Sequence, residues 1–198
     1  MRPARLETFA DGVFAIAATL LILSVDGAVK DPADLTHAWP AYIGYVVSFA
    51  TIGIMWLNHH QVMQQISRVD RRFMIANLAL LMGIAFVPFP TRLLAEHIRD
   101  GDAARGAALA YGFTLTFTAI FFSVVWFYAA RGRRLLRDDC DPRVVAGISR
   151  SYLPGVPLYL AATLIAFASP IASAIMYLAI AAFYIFESSL FGGTQTAD

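Results

Sequence analysis

The sequence predicts an all-α integral membrane protein with six membrane-spanning helices, forming a single domain over residues 1–198. Three observations carry this. Hydrophobic residues make up 59% of the chain and charged residues only 15%, against about 25% charged in a soluble domain. Apolar stretches of about 20 residues, the length that crosses a hydrocarbon core, recur along the whole chain. Lysine and arginine concentrate in alternate loops, as a multi-pass topology requires.

The first span runs from about Glu7 to Val25. It resembles a secretory signal in having Arg2 and Arg5 before it and Gly27-Ala28 after it. However, Glu7 and Asp11 lie where a signal is purely basic, and Asp26 lies where a cleavage site needs a small residue. The helix is therefore expected to be retained. The second span runs from about Pro40 to Met63, with proline in its first turn, where no amide donor is missed. The third covers about Phe73 to Leu94, the fourth Ala104 to Ala130, the fifth Ile148 to Ala168 and the sixth Ile171 to Phe191. Pro88 and Pro90 fall late in the third span, and Pro154 and Pro157 early in the fifth. Each removes an amide donor and predicts a packing kink. The short turn at Ser169-Pro170 makes the last two spans an antiparallel hairpin.

Eleven lysines and arginines fall on one side of this layout, and four (Lys30, Arg92, Arg99, Arg105) on the other. By the positive-inside rule both termini are cytoplasmic. The loop from Arg131 to Arg150 is the one long polar connection. It either fixes topology, the plainer role, or meets anionic lipid headgroups. The formal net charge of +1 argues against a nucleic-acid partner, and the single cysteine, Cys140, excludes an intrachain disulfide. Cys140 reads as an ordinary loop thiol. The chain has no P-loop, no G-x-S-x-G elbow, no CxxC pair and no T-V-G-Y-G filter. Nothing in it supports an enzyme, a resident metal or a cofactor.

Chemistry concentrates in two places. In the first span Ile16, Leu20 and Leu23 recur at i, i+4 and i+7 and share a face, with Thr19 beside it. Gly12, Ala15, Ala17 and Ala18 permit close helix approach. On periodicity alone this is either an ordinary packed helix or a helix whose copies line an axial pore with stacked apolar rings. Such rings gate by expelling water. The second place is MWLNHH, Met55 to His60. Adjacent histidines point about 100° apart on a helix, so they cannot share one pocket. His37 and His97 fall on the opposite side of the membrane, which excludes a four-histidine metal site. The expectation is that one histidine turns inward as a partner for Asp11 or Arg5, at similar depth, with Trp56 beside it as an indole donor. At the other end, Asp26, Asp31 and Asp34 form either a solvated loop or an acidic mouth that concentrates cations.

The pattern Arg5, Phe9, Ala10, Asp11, Ile16, Thr19, Leu20, followed by Trp56, His59 and His60, resembles the prokaryotic members of the transmembrane protein 175 family, potassium channels without the usual filter. The resemblance implies a homotetramer of six-helix chains in the plasma membrane, passing K+ and other monovalent cations with moderate preference for K+ over Na+. It implies a pore lined by the first helices, with Ile16 as the inner constriction, Leu20 and Leu23 the next layers outward, and Thr19 close to the path. Arg5, Phe9, Asp11, Trp56, His59 and His60 would form the scaffold behind the pore. The family's serine in F-S-D is Ala10 here, which removes one hydroxyl from that network. Two other classes stay open on the residues: a proton-coupled secondary transporter using Asp11, and a non-conducting structural membrane protein. A transporter usually carries an inverted repeat, and the opening pattern occurs once.

Overall fold

The computed structural model describes residues 3–27, 29 and 31–191, apart from the side chains of residues 34 and 185–191. The secondary structure within them is helical, with a single antiparallel bridge between Ile66 and Leu136. Four stretches are long and apolar enough to cross a bilayer: Pro3–Asp26, Trp39–Gln64, Arg71–His97 and Asp102–Arg133. They match the first four predicted spans.

Two of these stretches are broken for identifiable reasons. The first divides into α1 (Pro3–Leu20) and α2 (Ile22–Asp26). At the break, Ser24 donates both its amide (3.0 Å) and its hydroxyl (2.7 Å) to the carbonyl of Leu21. This tight i−3 bonding takes the place of the regular ladder. After a short 3₁₀ turn, α3 (Trp39–Gln64) runs unbroken. The third stretch divides into α4 (Arg71–Phe86) and α5 (Pro88–His97). Pro88 has no amide to give the carbonyl of Ile84, and Val87 donates to that carbonyl instead, at 3.1 Å. The prolines therefore interrupt the helix where predicted, as a break confined to Val87, whose dihedral angles stay helical.

Helix α6 (Asp102–Ala130) is the most buried of the long helices, and α1 is the least buried. Glycines let α6 approach its neighbours. A Cβ at Gly112 would overlap the Tyr177 hydroxyl and Thr163, and one at Gly83 would come within 2.7 Å of the Thr118 hydroxyl. Helix packing inside lipid relies on such small residues.

The fifth predicted span takes a different form. It is divided into α7 (Pro142–Tyr152) and α8 (Gly155–Ile165), separated at Leu153-Pro154. Leu153 and Pro154 keep helical dihedral angles, but Pro154 has no amide to give the carbonyl of Arg150 and Pro157 none to give that of Leu153, so the hydrogen-bond ladder is interrupted. The final helix, α9 (Pro170–Phe191), follows a turn at Ala166–Ser169, as predicted, and its apolar part within the described side chains is Pro170–Tyr184.

At the arginine-rich end, the α3–α4 loop and the segment after α6 are joined through their backbones. Ser67 donates to the carbonyl of Leu135, and Arg137 to that of Gln65, both at 2.9 Å. Cys140 is buried here, and its thiol donates to Gln65 Oε1 at 3.2 Å. Asp70 is the centre of the joint. It caps α4 by accepting from the Phe73 amide (2.8 Å), and it also accepts from the Tyr128 hydroxyl (2.7 Å) and Arg134 (2.8 Å). These donors hold its carboxyl below the usual carboxylate range, the Phe73 amide contributing most, then Tyr128, with Arg134 adding to it. A depressed carboxyl stabilises the fold above its unfolded pKa, about 3.9, and that contribution fades as pH falls through the native value. Asp70→Ala is expected to cost about 1 kcal/mol, the usual loss of an N-cap, read as a lower midpoint of thermal unfolding in detergent at pH 7. The deficit should shrink toward pH 3; a constant deficit would contradict the role of the charge.

Candidate functional site

α1 has two faces. Leu6, Ala10, Phe14, Ala17 and Leu21 are buried and hold the helix against α3 and α4. On the other side, Phe9, Ile16, Leu20 and Leu23 form an exposed stripe that continues through the break at Leu21. Ile16 is 62% exposed, the extreme of the set. Arg5, Gly12 and Thr19 are also exposed, and helical spacing puts them along the same stripe. The Thr19 hydroxyl donates to the carbonyl of Ile16 at 2.9 Å. Its donor is therefore held by the helix, and only its oxygen lone pairs are presented outward.

The flank of this stripe is tied to α3. Trp56 donates its indole N–H to Asp11 Oδ1 at 2.9 Å. One turn earlier on α1, Glu7 Oε1 lies 2.9 Å from His60 Nδ1. Gln64 Nε2 lies 3.0 Å from His60 Nε2. A His60 tautomer with its proton on Nδ1 satisfies both contacts, donating to Glu7 and accepting from Gln64. The Trp56 and His60 rings stack with centroids 6.0 Å apart. Two rungs thus fix α1 in register and rotation relative to α3.

His59 points the other way, as the helical offset from His60 requires. It is 1% exposed, and its Nε2 donates to Asn77 Oδ1 on α4 at 2.8 Å, with the Phe14 ring 5.5 Å away. His59 Nδ1 and Asn77 Nδ2 are buried without a partner among the described residues.

The expected network is therefore corrected in detail. The inward histidine meets Asn77, and reaches neither Asp11 nor Arg5. Asp11 receives the indole of Trp56, and the second histidine meets Glu7. Arg5 and Phe9 lie on the exposed stripe instead of behind it. Glu7 and Asn77 are the two members that sequence reasoning missed. Glu7 had a signal, since it sits one turn before Asp11 on the same flank.

At the opposite end, Asp26 is exposed at the close of α2. Arg92 of α5 reaches over this helix end: a Cβ at Gly27 would sit 3.4 Å from its guanidinium. Arg92 also pairs with Glu96 at 2.7 Å. A cation at a helix C-terminus is favoured by the dipole. Asp26, at the close of α2, thus has a basic side chain beside it. The side chain of Asp34 lies outside the described residues. Among those residues no cluster of three metal-ligating side chains occurs.

Comparison with known proteins gives a consistent result. A family profile described as endosomal/lysosomal potassium channel TMEM175 matches residues 5–88, the segment that carries the α1 stripe, both rungs and Asn77. A potassium channel of Streptomyces collinus is 47% identical over 152 residues, covering 74% of this chain and 72% of its own. A potassium channel of Chamaesiphon minutus is 41% identical over 172 residues, covering 83% and 84%. The crystal structure of a lysosomal potassium-selective channel TMEM175 homolog from Chamaesiphon minutus superimposes with a TM-score of 0.82 at 36% identity, over 94% of this chain and 97% of that one.

Proposed function

Because this chain belongs to the TMEM175 family of potassium channels, we infer that it is itself a potassium channel of the membrane, and we propose how it conducts. Four copies of the chain, each crossing the membrane six times, surround an axis with their α1 helices. The stripe of Ile16, Leu20 and Leu23 faces that axis and forms stacked apolar rings, with Ile16 the narrowest. The observation that carries this reading is the α1 stripe itself. The helix leaves its large aliphatic side chains uncovered by its own subunit, while the opposite side is fixed by packing and by two polar rungs.

The proposed orientation puts the arginine-rich end and both termini in the cytoplasm, in the plasma membrane. Asp11, Trp56, His60 and Glu7 hold α1 from behind. Arg5 and Phe9 then belong to the inner mouth, and Asp26, moderated by Arg92, to the outer one. Apolar side chains coordinate no ion, so selectivity comes from the cost of passing a partly hydrated cation. Na+ holds its water more tightly than K+ and loses more at such a constriction. The Thr19 oxygen, whose proton is held by the Ile16 carbonyl, is available to favour the cation beside the rings. The relatives being channels points to a non-enzyme.

The test is cation flux from liposomes under K+, Na+ and Cs+ gradients. The expected result is non-saturating flux with K+ ahead of Na+. Flux that saturates at low substrate and is driven by a pH gradient would indicate a coupled transporter using Asp11. No flux under any gradient would leave a structural membrane protein.

A further inference from the structure

The helix that divides the fifth predicted span has a task the conduction path does not use; the argument rests on the orientation proposed above. α8 has 11 residues, which at 1.5 Å each reach about 16 Å. That is roughly half of a hydrocarbon core of about 30 Å. For α8 to meet α9 at the far side, the end of α7 must enter the inner half of the membrane, and its beginning must lie in the headgroup layer.

α7 is strongly two-faced. Val145, Ser149 and Tyr152 turn toward α6: Ser149 Oγ accepts from Trp126 Nε1 at 2.9 Å, and the Tyr152 ring stacks on Phe122 at 5.9 Å. Opposite them stand Arg143 and Arg150, seven residues apart and so about 10 Å apart along one face. Both are exposed. Val144 and Leu153 flank them and are 37% and 65% exposed.

These two arginines differ from four others at this end of the molecule; Arg71, Arg72 and Arg131 are exposed as well, but do not stand on α7. Arg68 donates to the carbonyl of Arg134, and Arg133 to that of Cys140. Arg134 pairs with Asp70, and Arg137 with Asp139. Those four stitch the loops together. Arg143 and Arg150 have no side-chain partner among the described residues, yet helix continuity holds Arg143 in the headgroup layer and Arg150 several ångströms below it, within snorkelling reach of the headgroups. Guanidinium groups match phosphate oxygens bidentately, and exposed aliphatic neighbours suit the first methylenes of acyl chains.

We propose that the Arg143–Arg150 face of α7 binds anionic phospholipid headgroups in the inner leaflet. Fixing the topology would need only the number of positive charges. Lipid binding needs these two positions.

The experiment uses the full-length protein in detergent. Native mass spectrometry reads retention of phosphatidylglycerol against phosphatidylcholine for the wild type, Arg143→Gln/Arg150→Gln and Arg137→Gln. The wild type should retain phosphatidylglycerol preferentially. The double variant should lose at least about fivefold of that preference, with an unchanged thermal midpoint. Arg137→Gln, whose arginine is engaged by Asp139, should change it less than about twofold. Equal retention by the wild type and double variant, or equal losses in the double variant and Arg137→Gln, would overturn the proposal. Orientation is read separately, by labelling Asp138→Cys with an impermeant maleimide on intact cells. Labelling from outside would refute the orientation whatever the lipid result.

Discussion

Replacing Ile16 with asparagine is expected to raise basal K+ flux by about tenfold or more, equivalent to about 1.4 kcal/mol off the barrier to permeation. The reasoning begins with exposure. Ile16 is 62% exposed in its own subunit, so the change removes little packing within the subunit and leaves no buried group unpaired. Its effect must fall on whatever the stripe faces. If that is an axis shared by four copies, four amides enter one narrow ring together. Each offers a donor and an acceptor where water previously had none, and a ring that excluded water becomes wet. Na+ flux should rise by more than K+ flux, because the hydration penalty that separates them is relaxed. Liposome flux or single-channel recording checks both parts. Unchanged conductance would show that the stripe faces lipid or another subunit's packing surface, and the pore assignment would have to move.

The same helix marks how far a single sequence can be read. The buried and exposed faces of α1 follow from 3.6-residue spacing, but periodicity does not say what the uncovered face meets. That Asp11 meets the end of α3 was legible from the similar depth of Asp11 and His59/His60 on successive spans, but not that the donor is the Trp56 indole in place of a histidine. The divergence of His59 and His60 was legible because adjacent helical residues diverge by about 100°. The actual partners were less accessible. Glu7 and Asp11 are one turn apart on the same flank, so either can serve either α3 residue, and only the rotation of α1 against α3 decides. Asn77 is a lone polar residue in an apolar run, and nothing local tells whether it faces a neighbour, lipid or another copy. In the fifth span the prolines marked where the helix is interrupted, but not that the interruption is complete enough to divide it into α7 and α8. Arg92 registered only as a loop charge, since its contact with the end of α2 joins segments about 65 residues apart.

The second large effect is expected at His59 and Asn77, and it is an effect on stability. Asn77→Ala should lower unfolding free energy by about 2–4 kcal/mol. Part of this is the small cavity left beside α4. The rest is the His59 Nε2–H, which loses its only acceptor at a site 1% exposed; leaving a buried donor unmade costs about 1–3 kcal/mol. His59→Leu should cost a similar amount by stranding the amide of Asn77. The pair itself is a poor stabiliser, however. His59 Nδ1 and Asn77 Nδ2 remain buried without a partner among the described residues, so their desolvation offsets much of the gain from the one bond. The double change His59→Leu/Asn77→Leu removes every unmet group together. It should therefore return to within about 1 kcal/mol of the wild type, far from the sum of the single losses. Thermal unfolding of all four proteins in detergent measures the cycle. Additive losses would show that the bond contributes little and that each side chain matters only for the space it fills. Strong non-additivity with reduced K+ flux in the stable double variant would separate the roles. Folding would then tolerate an apolar joint between α3 and α4, while α1, which touches that joint through Phe14, would need the polar one to hold its rotation.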